Sequence, residues 1–168
     1  TELGVFKRNG AYANYVVVPG RFVHKIPNQL DIRKAALAEP VAVVLKGLRR
    51  LSLLIQGEPS HNHCGVVGAG PLGHICAVIL SYQGYNVTAF DKQENRLTFF
   101  EGTNITTSTD LSELKKCGVV VEVTGDQRSL TQVLHVTPAG CSILLLGLPY
   151  ENHPFSFETI AAYDKTVI

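Results

Sequence analysis

Three glycines and an acid form the most specific chemical pattern in this chain. Gly68-Ala69-Gly70-Pro71-Leu72-Gly73 follows a short apolar run, Cys64-Gly65-Val66-Val67. It leads into Leu72, Ile75, Cys76, Ile79 and Leu80, apolar residues at helical spacing. A strand that turns directly into a helix points the helix's first amide N–H groups, and the positive end of its dipole, at an anion. In that context Gly68 permits the tight turn off the strand and Gly70 lets the backbone approach a diphosphate with no Cβ in the way. Gly73 lets the helix pack closely on the sheet. Pro71 suits a first helical turn, where its fixed φ helps and its missing N–H costs little. Asp91 stands eighteen positions after Gly73, at the end of the next apolar run. A carboxylate there can accept hydrogen bonds from ribose hydroxyls and repels a 2′-phosphate. The pattern therefore predicts NAD over NADP, with Lys92 and Arg96 the nearby cations that could oppose that preference.

Other reactive side chains carry weaker patterns. His61-Asn62-His63-Cys64 reads as a polar loop entering a strand rather than a metal cluster, with Cys64 expected to face the sheet. Cys64, Cys76, Cys117 and Cys141 show neither metal-ligand spacing nor a dense disulfide pattern, and each lies in or beside an apolar segment. Free thiols in that setting point to a reducing compartment, the cytoplasm. His24, His74, His135 and His153 are isolated, so no catalytic acid or base is assigned.

The elements that must position the glycine turn follow from periodicity and punctuation. Residues 10–18 read as a strand closed by Pro19-Gly20, and 22–26 as a second extended piece stopped by Pro27-Asn28. Asp31 caps a short helix, and Pro40 opens a longer one. That second helix carries Val41, Val44, Leu45, Leu48 and Ile55 on its apolar side and Lys46, Arg49 and Arg50 on its wet side. A polar loop spans 57–62. After the helix that follows the glycine turn, Gly84 is the stop and Asn86 to Phe90 the next strand. A helix then runs to about Glu101-Gly102. A weak strand near 104–106, a short helix near 111–116, a strand over 119–123 and a helix around Leu130, Val133 and Leu134 come next. Strands at 142–146 and from Thr166 complete the chain. Strands alternating with helices at this spacing predict an α/β fold, a doubly wound parallel sheet with helices on both faces.

Composition bounds the remaining possibilities. The formal net charge is +1, and the basic pairs Lys7-Arg8, Arg49-Arg50 and Lys115-Lys116 are scattered, so no nucleic-acid partner is expected. Apolar residues make up 45% and charged residues 17%, as in globular proteins, and no run reaches the ~20 apolar residues of a membrane span. The 168 residues include no methionine, from which the chain is expected to be a piece of a longer protein.

At Gly68-Ala69-Gly70-Pro71-Leu72-Gly73 the chain resembles the medium-chain dehydrogenase/reductase superfamily, in particular its zinc-type polyol, threonine and alcohol dehydrogenases. Gly10 to Pro19 resembles the segment by which these enzymes leave the first part of their GroES-like catalytic domain. Leu37-Ala38-Glu39-Pro40-Val41-Ala42-Val43 resembles the acid-proline helix start of the polyol branch. Val121-Glu122-Val123-Thr124-Gly125 and Leu144-Leu145-Leu146-Gly147-Leu148-Pro149 are similar to the fourth and fifth strands of the cofactor domain.

The resemblance implies a catalytic-domain remnant over 1–30 and an NAD-binding Rossmann domain over 31–168. It implies that Gly68, Gly70, Pro71, Leu72 and Gly73 cradle a pyrophosphate, and that Asp91 holds the adenosine ribose with Arg96 at its edge. Thr124 and Gly125 would border the cofactor, and Leu146, Gly147 and Leu148 would lie near the nicotinamide. Glu39 matches a glutamate at the catalytic zinc of polyol-type relatives, and also reads as a plain acid ahead of Pro40. Catalytic zinc needs about three protein ligands, so the ion is expected in the longer enzyme and not in this chain. The implied activity is hydride transfer between an alcohol or polyol and nicotinamide, by a homodimer joined through an edge strand near 153–157. Two alternatives stay open: a non-catalytic NAD-binding or redox-sensing module, and a zinc-free quinone or enoyl reductase. Asp91 and the Pro71-Leu72 pair count against the latter.

Overall fold

The computed structural model describes residues 9–54, 62–147 and 158–168, without the side chains of Leu54, Thr159 and Ala162. The chain divides into two compact units, Thr1–Ala36 and Leu37–Ile168. In the first, residues 10–18 form no strand. Tyr12, Tyr15 and Val17 are exposed and pair with no neighbour among the described residues. Their β-branched and aromatic character supplies strand propensity, but a strand exists only when a second one completes its ladder. The expected extended piece at 22–26 begins instead with a 3-10 turn at Gly20–Phe22. Asp31 does cap a helix, α1 (Ile32–Ala35), accepting a hydrogen bond from the Arg33 N–H at 2.7 Å.

The second unit is a parallel sheet wrapped by helices. Its strands are β1 (His63–Val67), β2 (Asn86–Phe90), β3 (Thr106–Ser108), β4 (Val119–Glu122), β5 (Ser142–Leu145) and β6 (Thr166–Val167). They lie side by side in the order β3-β2-β1-β4-β5-β6. Every pairing is parallel, with Val67 opposite Phe90 on one side of β1 and opposite Glu122 on the other. This is the Rossmann arrangement, in which the strand order reverses between β1 and β4 and opens a crevice at their carboxyl ends.

The sheet is buried on both faces, so its strands read as unbroken apolar runs. In β1, Cys64 and Val66 pack on one face with Val119 and Val121 of β4, while Val67 packs on the other with Val120. The first face is covered by α2 (Ala38–Leu54) through Val44, Leu48 and Leu51, and by α3 (Pro71–Tyr82) through Cys76, Ala77 and Leu80. The second is covered by α5 (Gln127–Val136) through Leu130, Val133 and Leu134, whose i, i+3, i+4 spacing makes one apolar stripe. α2 begins at Ala38, two residues before Pro40, and Leu45 lies 45% exposed instead of joining its buried stripe. Ile55, expected on the same stripe, lies outside the described residues.

α3 ends as the sequence predicts. Gly84 adopts φ +92°, the Gly84 N–H bonds the Ser81 carbonyl at 3.0 Å, and the Tyr85 N–H bonds the Leu80 carbonyl at 3.1 Å. After β2 the expected helix is shorter: α4 (Glu94–Leu97) tightens into a 3-10 turn ending at Phe100. The weak strand lies at 106–108, two residues later than expected, where it pairs with β2. The segment at 111–116 is 3-10, and α6 (Glu158–Ala162) leads to β6.

Candidate functional site

The carboxyl ends of β2, β1, β4 and β5 form a continuous rim, and most of the predicted site residues stand on it. Gly68 leaves β1 with φ +104°, its N–H held by the Phe90 carbonyl at 2.7 Å. A side chain there would be strained by that backbone, and its Cβ would meet the Thr124 methyl at 2.9 Å. Gly73 is enforced by proximity, since a Cβ would stand 1.7 Å from the Gly68 carbonyl oxygen. Helix and turn could not come this close with any other residue.

Gly70 differs from both. It is the residue just before α3, with extended φ −71° and ψ −175°, and a Cβ there would meet no atom within 4 Å. Neither backbone strain nor crowding by the protein calls for glycine at this position. It faces open space at a helix N-terminus whose first-turn amides have no intrahelical acceptor and no side-chain cap. Pro71 takes the first helical position, and Leu72 is half-buried against the core beneath. The residues therefore fit a diphosphate, which needs a bare Cα and unpaired N–H groups together.

Asp91 is bound into the same turn. One carboxylate oxygen accepts from the Ala69 N–H at 2.9 Å and from the Arg96 guanidinium at 3.3 Å. The other accepts from the Gln93 N–H at 2.9 Å. Burial alone would raise its pKa, but these donors outweigh burial and hold it below the ordinary 3.8, so the carboxylate is ionised. Arg96, with about half its side chain exposed, is committed to Asp91. Lys92 is exposed.

Across the switch point, Thr124 and Gly125 follow β4, Gly125 with φ +68°. Leu146 and Gly147 follow β5, and both donate their N–H groups to the Glu122 carbonyl, at 2.9 and 3.2 Å. The two turns touch: a Cβ on Gly147 would lie 2.3 Å from the Gly125 nitrogen. Leu148 and the 153–157 segment lie outside the described residues.

Glu39 stands exposed in the first turn of α2. Among the described residues no three His, Cys, Asp or Glu side chains converge as a metal set. The donor set that zinc needs is therefore not gathered by these residues. All four cysteines are free and buried, Cys64 facing the core as expected while His63 is exposed. A cavity of about 340 Å³, lined by Leu45, Leu48, Arg49, Leu51 and Tyr85 among others, sits at the opposite end of α3 from the glycine turn. It takes no part in the rim.

Glu122, which its sequence pattern does not mark as a site residue, also stands on this rim. It is 2% exposed, and its carboxylate accepts from the N–H and hydroxyl of Thr124, the former at 3.0 Å. The Ser129 hydroxyl and Gly125 N–H donate to it as well. Burial nonetheless pushes its pKa above the ordinary 4.5. The available signal was an acid closing a run of three valines.

No family model matches the chain. It is 29% identical over 174 aligned residues to L-threonine 3-dehydrogenase of Coxiella burnetii, covering 96% of this chain and 48% of that protein. It is 26% identical to D-xylulose reductase A of Aspergillus oryzae, covering 94% of this chain and 47% of that one. The crystal structure of galactitol-1-phosphate dehydrogenase from Escherichia coli superposes with a TM-score of 0.78 at 22% identity, over 96% of this chain and 50% of the other. The chain thus spans about half the length of the curated relatives it matches. The relatives that the chain is similar to over nearly its whole length are thus an L-threonine 3-dehydrogenase and a D-xylulose reductase, and its fold is that of a galactitol-1-phosphate dehydrogenase.

Proposed function

We propose that this chain is the NAD(H)-binding part of a zinc-type dehydrogenase that moves hydride between a secondary alcohol, or a polyol, and nicotinamide. One observation supports this reading above the others: Gly70 keeps a bare Cα over open space, in a turn whose neighbouring Ala69 N–H is tied to Asp91. A diphosphate at the α3 N-terminus and a ribose at Asp91 are then adjacent, as one dinucleotide requires. The bound cofactor would supply the hydride acceptor. The protein residues orient it: Gly68 and Gly73 fix the turn, the α3 amides take the phosphates, and Thr124, Gly125, Leu146 and Gly147 border the other half.

NAD is the proposed cofactor over NADP, because the ionised Asp91 faces the ribose and Arg96 is already its partner. Zinc enters through the resemblance alone, and no step is routed through it. A homodimer in the cytoplasm, acting on a small alcohol, completes the proposal; four buried free thiols suit a reducing compartment. No helix among the described residues is long and apolar enough to cross a membrane.

The test is titration of the chain with NADH and with NADPH, followed by nicotinamide fluorescence and calorimetry. NADH binding at least severalfold tighter than NADPH is expected. Tighter NADPH binding would reverse the role given to Asp91, and binding of neither would remove the dinucleotide reading.

A further inference from the structure

Glu122 is the most deeply buried acid among the described residues, and a costly one to keep. A carboxylate taken out of water is penalised heavily unless fixed donors replace its hydration. Its neighbours in β4 are valines, and a fourth apolar residue would serve the core without that penalty. The donors that satisfy it come from one place. Thr124 gives its N–H and hydroxyl and Gly125 its N–H, in the turn from β4 into α5, and Ser129 gives its hydroxyl from the first turn of α5. Through its main-chain carbonyl the same residue holds the Leu146 and Gly147 N–H groups after β5. Thr124 passes the constraint on, its hydroxyl oxygen accepting from the Asp126 N–H at 3.0 Å. Gly147 packs so tightly that a Cβ would lie 3.1 Å from the Glu122 carboxylate and 2.3 Å from the Gly125 nitrogen.

One residue therefore joins two turns on one side of the switch point: its side chain fixes the Thr124–Gly125 turn, its main-chain carbonyl holds Leu146 and Gly147, and Gly147 packs directly on Gly125. On the other side the glycine turn has anchors of its own, Gly68 to Phe90 and Ala69 to Asp91. A dinucleotide across the crevice places its adenosine and diphosphate over β2 and β1, and its second nucleoside over β4 and β5. We propose that Glu122 is a positioning residue for the nicotinamide half of the cleft: it sets the Thr124–Gly125 and Leu146–Gly147 turns that border the ring, and leaves the adenosine half to Asp91 and the glycine turn.

This inference rests on the dinucleotide reading above, and the experiment separates the two. The full chain and Glu122→Gln are titrated by calorimetry with NADH and with ADP-ribose, which keeps the adenosine, diphosphate and second ribose but lacks nicotinamide. Gln preserves volume but offers one acceptor oxygen to two main-chain N–H donors. NADH should bind Glu122→Gln about 10-fold more weakly, while ADP-ribose changes by less than about twofold. Should Glu122→Gln fail to fold, Ser129→Ala removes a single donor and should show the same split at about 3-fold. Equal losses for both ligands, or no loss for either, would overturn the positioning role while leaving the dinucleotide reading intact. A wild-type chain that binds neither ligand would overturn that reading and this inference with it.

Discussion

Gly70→Val separates ligand binding from folding more cleanly than any other change in the glycine turn. Two small terms decide its effect on stability. Valine at the residue before a helix is a poorer cap than glycine, a loss of up to about 1 kcal/mol. Replacing glycine where φ and ψ are already extended, as here at −71° and −175°, recovers about 0.4–1 kcal/mol through the unfolded chain. No atom lies within 4 Å of the added Cβ, so no clash contributes, and the net should stay within about 1 kcal/mol. For a chain of 168 residues that is a shift of roughly 2–4 °C in Tm. Binding should respond very differently. The isopropyl group would occupy the approach to the α3 amides, and the loss of two charge-assisted hydrogen bonds, at about 1.5–3 kcal/mol each, predicts at least a 100-fold weaker NADH complex. Gly73→Ala is the counterpart, because its Cβ would stand 1.7 Å from a backbone oxygen and must disturb the fold itself. Thermal unfolding by circular dichroism and NADH titration by calorimetry measure both quantities on the same samples. A Gly70→Val chain that melts like wild type and still binds NADH with wild-type affinity would refute the assignment of the turn to a diphosphate.

Two further predictions concern titratable groups. Asp91→Asn should weaken NADH more than NADPH and cost about 1–3 kcal/mol of stability at neutral pH, by leaving the buried N–H of Ala69 or the part-buried N–H of Gln93 without its charged acceptor. Because the Asp91 pKa is depressed, its contribution is fully present above the ordinary 3.8 and is lost as pH falls through the lowered value. Urea unfolding across that acid range should show the difference between wild type and variant shrinking toward zero, and a constant difference would exclude the linkage. Burial pushes Cys76 and Cys141 up to about 12 and Cys117 to about 11, with Cys64 also raised well above its ordinary value. At pH 8 a colorimetric thiol reagent should therefore label none of the four until denaturant is added, and fast labelling of the native chain would contradict their burial.

What the sequence disclosed depended on whether the cause was local. The Gly84 stop and the Asp31 cap are each set by residues within a few positions, and each stands where its spacing predicted, while the glycine turn and Asp91 were legible from their order along the chain although Ala69 and Asp91 meet across 22 positions. β1, β2, β4 and β5 were legible because strands covered on both faces read as continuous apolar runs. Residues 10–18 have the composition of a strand but no partner among the described residues, and pairing is a tertiary fact that composition does not carry. β3 slid by two residues for the same reason, its limits being set by β2 rather than by its own threonines. Leu45 follows the helical period yet faces outward, since the period fixes an angle and not how far a neighbouring layer extends. Glu122 was missed because the sequence shows an acid among valines and not the four donors gathered around it.

The strand order also governs how the chain can assemble. β1 lies at the centre of the sheet, but one of its two neighbours, β4, is made about fifty residues later. At a synthesis rate of about 5–20 residues per second, one side of β1 waits between roughly 3 and 10 s for its partner to leave the ribosome. Through that interval Val66 and Val67 sit on an open edge, which any extended apolar segment could join. The reversal of strand order that opens a crevice in the finished molecule is thus, in the nascent one, a vulnerability to mispairing that ends only when β4 docks.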